Sequence, residues 1–204
     1  MYDSPTVRAF LAGLIEGDGY LGYQFKLRLI DQDLVQYVAD LLHRRISQTT
    51  PTGRNKKPLY EVNMAKKSQV AEFYQWLYPW LGTRRQAQIR AYFNKFSHLL
   101  YEDLNNLQSI IPQPPKPPGT SIQSKELTEE ERAYLAGYFA AEGSIGFDKR
   151  LLLPTPYLSF ESTDQDIIAY VAQLLGQHYV QLQRRTKKNK LVFRVRVHAL
   201  NDVQ

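Results

Sequence analysis

The chain contains no cysteine. That excludes a disulfide framework and any thiolate metal site. Its four histidines are scattered and never spaced as H-x-x-x-H, so a zinc site is not expected. No uninterrupted apolar stretch approaches the length needed to cross a bilayer. The opening MYDSPTVRAF has neither the charged start nor the long apolar run of a secretory signal.

Apolar residues make up 43% of the 204, enough for a packed core and too many for wholesale disorder. Net charge is +6, with an isoelectric point near 9.4. This balance favours polyanionic partners, either nucleic acid or an acidic membrane surface. Fourteen tyrosines offer stacking and hydrogen bonding, although most tyrosines simply pack.

The strongest signal is internal repetition. FLAGLIEGDGYLGY (Phe10–Tyr23) is echoed by YLAGYFAAEGSIGF (Tyr134–Phe147). DQDLVQYVADLL (Asp31–Leu42) returns as DQDIIAYVAQLL (Asp164–Leu175), and Lys56–Val70 lies over Asn189–Val203 without a gap. The basic stretches Arg54–Lys57 and Lys187–Lys190 then coincide. Three matches in one order define a repeat at 1–104, a proline-rich tether at 105–127 and a second repeat at 128–204. The copies are unequal. The stretch from Asp18 to Asp31 is shorter than that from Glu142 to Asp164, so the first opening hairpin is expected to be abbreviated. Within the sequence, nothing after the second copy matches the helical pattern of Ala71–Leu104.

Each copy reads as helix, hairpin, helix, hairpin. Ser4 before Pro5 signals a helix start, and Thr128 with Glu131 predicts a capping box. Helical apolar spacing follows at Val7, Phe10, Leu11, Leu14 and Ile15, and at Tyr134, Leu135, Tyr138 and Phe139. Gly19 and Gly143 are expected to end these helices with positive φ. YLSFEST and LVFRVRV alternate with period two and predict strands.

Gly13 and Gly17 lie one helical turn apart, as do Gly137 and Ala141. Such small stripes let two helices approach closely, so the two opening helices are expected to pair as the seam between copies. Crowding explains the small residues but not the acids. Asp18 and Glu142 fall at helix C-termini, where the dipole is already negative. Pairing the helices brings both acids together, and like charges so placed call for a cation. Hard oxygen ligands suit Mg²⁺, and DNA phosphates would complete a metal-assisted phosphodiester hydrolysis site.

These phrases resemble the LAGLIDADG homing endonucleases, in the single-chain, two-repeat form. LAGLIEGDG (Leu11–Gly19) departs from the motif only at Glu16 and Gly17; LAGYFAAEG (Leu135–Gly143) is a looser copy. The resemblance implies an α+β fold of two pseudo-symmetric αββαββα repeats, with antiparallel sheet saddles lying on DNA and the motif helices packed at the interface. It implies a pseudo-twofold monomer that cuts both strands of a long, asymmetric DNA target. Cleavage would depend on Mg²⁺, or on another divalent cation such as Mn²⁺ or Ca²⁺, and leave short 3′ overhangs. Such an enzyme serves intron or intein mobility. By the same resemblance Asp18 and Glu142 bind metal, assisted by the carbonyls of Gly17 and Ala141. Arg84 and Arg85 are the candidate basic residues near the scissile phosphate. Asp31 and Asp164 either order water or cap the following helix. Relatives also include RNA-binding intron maturases and DNA-binding proteins that do not cut, which stand as the alternatives.

Strand alternation sorts the sheet faces. Phe193, Val195 and Val197 are expected inward, with Arg194 and Arg196 on the open face. Tyr60, Val62 and Met64 repeat this, leaving Glu61 and Asn63 outward. Gln24, Lys26 and Arg28 share the open face of the first hairpin. In the second copy it carries Ser144, Asp148 and Arg150, with Ser159 and Glu161, and Gln181, Gln183 and Arg185; Gln48 and Thr50 are their counterparts in the first. Arginine suits guanine edges, amides suit adenine and acids accept from cytosine. Lys56, Lys57, Lys187, Lys188 and Lys190 at hairpin tips suit phosphates. A solvated sheet face is the plainer reading of any one of these residues. The outward residues differ between copies, so an asymmetric duplex is expected.

Overall fold

The computed structural model describes residues 4–50, 57–96, 126–148, 154–183 and 191–198. Lys56, Arg150, Arg185, Lys187, Lys188, Lys190 and the tether lie outside them, and of Gln183 only the backbone is described.

The first repeat runs α1 (Pro5–Asp18), β1 (Gly19–Leu21), β2 (Phe25–Leu29), α2 (Gln32–Leu41), β3 (Ser47–Thr49), β4 (Leu59–Met64), α3 (Lys67–Leu77), a 3-10 turn (Tyr78–Trp80) and α4 (Thr83–Phe96). The second runs α5 (Glu129–Glu142), β5 (Gly143–Asp148), β6 (Thr155–Ser162), α6 (Gln165–Leu174), β7 (Tyr179–Gln183) and β8 (Leu191–His198). Each repeat builds one four-stranded antiparallel sheet, ordered β1-β2-β4-β3 and β5-β6-β8-β7. The expected α+β architecture is therefore present. The first hairpin is the shorter, with strands of 3 and 5 residues against 6 and 8.

α1 and α5 form the seam. A methyl group on Gly13 would collide with the Tyr134 carbonyl, and one on Gly137 with the Phe10 carbonyl. One on Gly17 would strike the Ala141 side chain. The small stripe thus sets how closely the two backbones meet, as its spacing predicts. Thr128 and Glu131 close the capping box of α5. Ser4 occupies the N-cap of α1 but makes no side-chain capping bond there, and Pro5 supplies the first turn.

One expectation is corrected at the helix ends. Gly19 has φ −72° and Gly143 φ −78°, both extended rather than left-handed. Glycine is required for space: a side chain at Gly19 would run into Ile15, and one at Gly143 into Phe139. The chain leaves each helix directly into a strand, so the closing acid is held between a helix and a sheet.

The core lies between the sheets and the helices. Phe25, Leu27, Val62, Phe160 and Val195 point into it and are buried. In the first repeat α3 covers the sheet, with Phe73 against Phe25 at 4.8 Å between ring centres. The Tyr74 hydroxyl also donates to the Gly22 carbonyl at 3.1 Å.

Candidate active site

Asp18 and Glu142 are the last residues of α1 and α5. Both side chains reach solvent, yet both carboxyls are held above their ordinary pKa. Partial burial is the main cause for each. The negative charge of Asp18 raises Glu142 further, whereas Arg85 pulls both down. The two acids therefore share one electrostatic site, as helix pairing predicts.

Arg85 is the positive centre of that site. It sits in the first turn of α4 and is only 6% exposed. Its guanidinium donates to the carbonyls of Glu16, at 3.0 Å, and Gly17, at 3.0 Å. The last turn of α1, whose carbonyls lack helical partners, is thereby capped by a cation. Arg84 is more open and reaches the other repeat, where its Nε donates to Asp164 at 2.6 Å. The Thr83 N–H, at the start of α4, donates to Asp166 at 2.7 Å. Helix α4 of the first repeat is thus tied down by acids of the second.

Glu16, in the motif's acidic sixth position, is buried at 3% exposure. It accepts from the Gly82 N–H at 2.8 Å. Burial pushes its carboxyl up to about 7, against the pull of Gly82, Arg85 and Arg84. It serves packing of the loop before α4, and Ala140 at the matching place in the second copy has no such task. A cleft of about 440 Å³ opens beside Glu142, bordered by Arg84, Ser144, Glu161 and Asp164.

Asp31 and Asp164, equivalent in sequence, differ in use. Asp31 caps α2 by accepting from the Leu34 N–H at 3.0 Å. Asp164 makes no such cap and binds Arg84 instead.

The donor set fits a hard divalent cation. Both carboxyls are raised chiefly by burial, and they are immediately preceded by the carbonyls of Ala141 and of Gly17, which also accepts from Arg85. Among the described residues, no three acidic or histidine side chains cluster as a metal cage of their own. A cation here would need oxygens from elsewhere as well.

On the sheets, antiparallel partners share a face. Lys26 pairs with Asn63 and Arg28 with Glu61, while Ser159 pairs with Arg196 and Glu161 with Arg194. These lie opposite the core as expected, and Gln24 falls in the turn just before β2. Three are more covered than an open face suggests. Glu61 is 8%, Ser159 2% and Asp148 8% exposed. Arg28 lies on Glu61, and Arg196 stacks on Tyr157 beside Ser159 at 4.0 Å. Asp148 stands against Thr155.

Gln48 and Gln181 are corrections. Gln48 pairs with Tyr60 and Gln181 with Phe193, placing both on the helix side. Gln183 pairs with Leu191 in the same register. Ser47, Thr49 and Val180 take the outward places instead. Thr50 lies exposed just past β3, and Lys57 is exposed before β4. Tyr20, paired with Lys26, and Tyr157 and His198, paired with each other, are outward residues that the sequence reading missed. Alternation could have found Tyr157 on the Ser159 face. The register of the short β3 and β7 had no such signal, because it depends on the turns that precede them.

A sequence model of the LAGLIDADG-like domain matches residues 129–203. The matched stretch coincides with the second repeat. The whole chain has the fold of solved LAGLIDADG homing endonucleases. It is similar to I-LtrWI bound to target DNA, at 13% identity and a TM-score of 0.60, over 97% of this chain and 80% of that one. It is also similar to a double mutant of I-SmaMI, at 13% identity and a TM-score of 0.56, over 96% and 80%. I-GzeII in complex with its DNA target gives 15% identity and a TM-score of 0.51, over 93% and 78%. Among curated proteins no match is found. In this fold Asp18 and Glu142 close the two seam helices, each immediately before the first strand of its own sheet.

Proposed function

We propose that the protein is a site-specific DNA endonuclease that cuts both strands of a long, asymmetric duplex. The carrying observation is the pair of acids, each supplied by a different repeat, at the ends of two helices packed so closely that a methyl group on Gly17 would meet Ala141 and Glu142. A duplex has two strands to cut, and each repeat brings one acid to the seam. The two sheets supply the surface for DNA on either side. Similar folds bound to target DNA support this reading.

Asp18 and Glu142 would hold Mg²⁺, with the carbonyls of Gly17 and Ala141 beside them and DNA phosphates completing the shell. Ca²⁺ was present with uncleaved DNA in a structure of I-SmaMI, in keeping with a divalent requirement. When bound, the cation polarises a phosphoryl oxygen and makes water a nucleophile near neutral pH. The chain itself does the rest. Arg85 holds the end of α1 in place, so that Asp18 points from a fixed turn. Arg84, anchored on Asp164, offers a second positive group at the cleft beside Glu142 for the charge that develops on the phosphate. The outward residues of the sheets fix the register of the duplex, so that the scissile phosphates meet the acids. The chain acts as a monomer, since both halves of the site are in one polypeptide.

Cleavage selection from a randomised duplex library with Mg²⁺ tests this reading. The wild-type chain should enrich one asymmetric sequence and leave short 3′ overhangs. Asp18→Asn and Glu142→Gln should each lose double-strand cutting while still retaining that sequence in a binding assay. Cutting at the normal rate by either variant removes the assignment. Retention without cutting by the wild type returns the reading of a DNA-binding protein that does not cut.

A further inference from the structure

The two sheets carry the same ion pair with its signs exchanged. Aligning the repeats places Arg28 over Glu161 and Glu61 over Arg194. In the first sheet Arg28 on β2 faces Glu61 on β4. In the second, Glu161 on β6, the counterpart of β2, faces Arg194 on β8, the counterpart of β4. Both pairs are formed. Arg28 donates from Nε to Glu61 Oε2 at 2.8 Å and also from Nη2 to the same oxygen. Arg194 presents Nε at 2.6 Å, with Nη2, to Glu161 Oε1. The core positions between them are kept: Leu27 and Val62 in one sheet, Phe160 and Val195 in the other.

A guanidinium has two donor edges. In both pairs the glutamate takes the Nε–Nη2 edge, and the Nη1–Nη2 edge remains. That remaining edge is the one that fits guanine O6 and N7. Arg28 is half exposed on the open face, while the Glu61 side chain beneath is 9% exposed. The glutamate fixes the arginine's aim before any base arrives, so less conformational freedom is lost on contact. Exchanging the signs leaves the cross-strand attraction alike in both sheets. It changes which strand presents the free donor edge. Neighbouring strands lie about 4.8 Å apart, more than the roughly 3.4 Å between base steps.

We infer that each half-site of the duplex contains a guanine read by a glutamate-held arginine, Arg28 in one half and Arg194 in the other. The two guanines stand at positions that the pseudo-twofold axis does not relate. Glu61 and Glu161 are positioning residues for this contact. The inference rests on the reading of the sheets as a DNA surface and names what sets the asymmetry of the target.

The test is a binding selection from a randomised duplex library, with cutting not required. It uses the wild-type chain, Arg28→Ala, Arg194→Ala and the exchanged pair R28E/E61R, each first confirmed as folded by thermal melting. The wild type should enrich a guanine in each half-site. Arg28→Ala should lose discrimination at one guanine by roughly ten- to a hundredfold, and Arg194→Ala at the other. R28E/E61R keeps the ion pair but moves the arginine to β4. It should shift the first guanine to the position related by the axis to the second. If the exchange leaves the preferred base in place, or if either alanine variant weakens all sequences equally, the inference fails and the DNA surface stands. If the wild type enriches no sequence at all, the DNA reading fails and carries the inference with it.

Discussion

The two repeats share a sequence pattern and a sheet topology, yet they are finished differently. In the first, α3 and α4 lie over the sheet, and Phe25 is fully buried. Its counterpart in the second repeat is Leu158, on the same helix-side face, and it is 39% exposed. Beside it Ile145 is 69% and Phe147 58% exposed. Among the described residues no helix of the second repeat stands where α3 stands in the first. The second sheet draws much of its burial from the seam helix, through Tyr138 and Phe139 on Phe160. The difference separates two roles that one repeat would otherwise merge. The seam fixes where the acids meet, and the covering helices decide how firmly each sheet is held.

The largest break in that comparison should come from Phe25→Ala. Emptying a fully buried aromatic site packed on Phe73 should cost about 3–5 kcal/mol. Leu158→Ala at the matching position should cost less than about 1 kcal/mol, because that side chain already meets water. Urea unfolding of the two variants measures both values. Equal losses would mean that the second sheet face is covered in solution as firmly as the first.

A smaller effect concerns a bend both repeats make. After α2 the chain turns through His43 at φ 51°, and after α6 through Gly176 at φ 62°. The two positions are equivalent, and both make the same closing bonds: Arg44 N–H to the Ala39 carbonyl, and Gln177 N–H to the Ala172 carbonyl. A left-handed bend suits glycine and strains histidine. His43→Gly should therefore stabilise the first repeat, by about 1 kcal/mol at most, since glycine also loses more freedom on folding. Gly176→His should destabilise the second. Melting temperatures that move in the same direction for both would overturn this reading.

Much of this was legible in the sequence, for identifiable reasons. The repeat, the small-residue seam and the paired acids depend on spacing along single helices, which the chain states directly. Arg194, Glu161 and Arg28 followed from alternation in strands with clear period two. Gln48 and Gln181 did not, because a one-residue shift in register moves a short strand's residues to the other face. β3 and β7 have little burial to fix that register. A helix end by itself suggests left-handed glycines at Gly19 and Gly143. A helix passing straight into a strand needs room at that point instead. The capture of the α1 terminus by Arg85, and of Arg84 by Asp164, is a tertiary fact between distant segments, and only the fold reveals it.

The finest test addresses the acids themselves, where the repeats should be coupled rather than different. Burial raises both carboxyls, and Glu142 is also raised by the charge of Asp18. A carboxyl raised in the folded state binds its proton more tightly there than in the unfolded chain. The folded state therefore loses stability as pH rises from the ordinary carboxylate range through the raised value. Asp18→Asn removes one such group and the repulsion on the other. The Glu142 titration midpoint, followed by carbon NMR without divalent ions, should then fall toward the usual glutamate range. The variant should also lose less stability than the wild type as pH rises through that window. Mg²⁺ should lower the Glu142 midpoint in the wild type and do so more weakly in Asp18→Asn. An unmoved Glu142 midpoint in Asp18→Asn would separate the two acids into independent sites, and with them the two halves of the proposed cut.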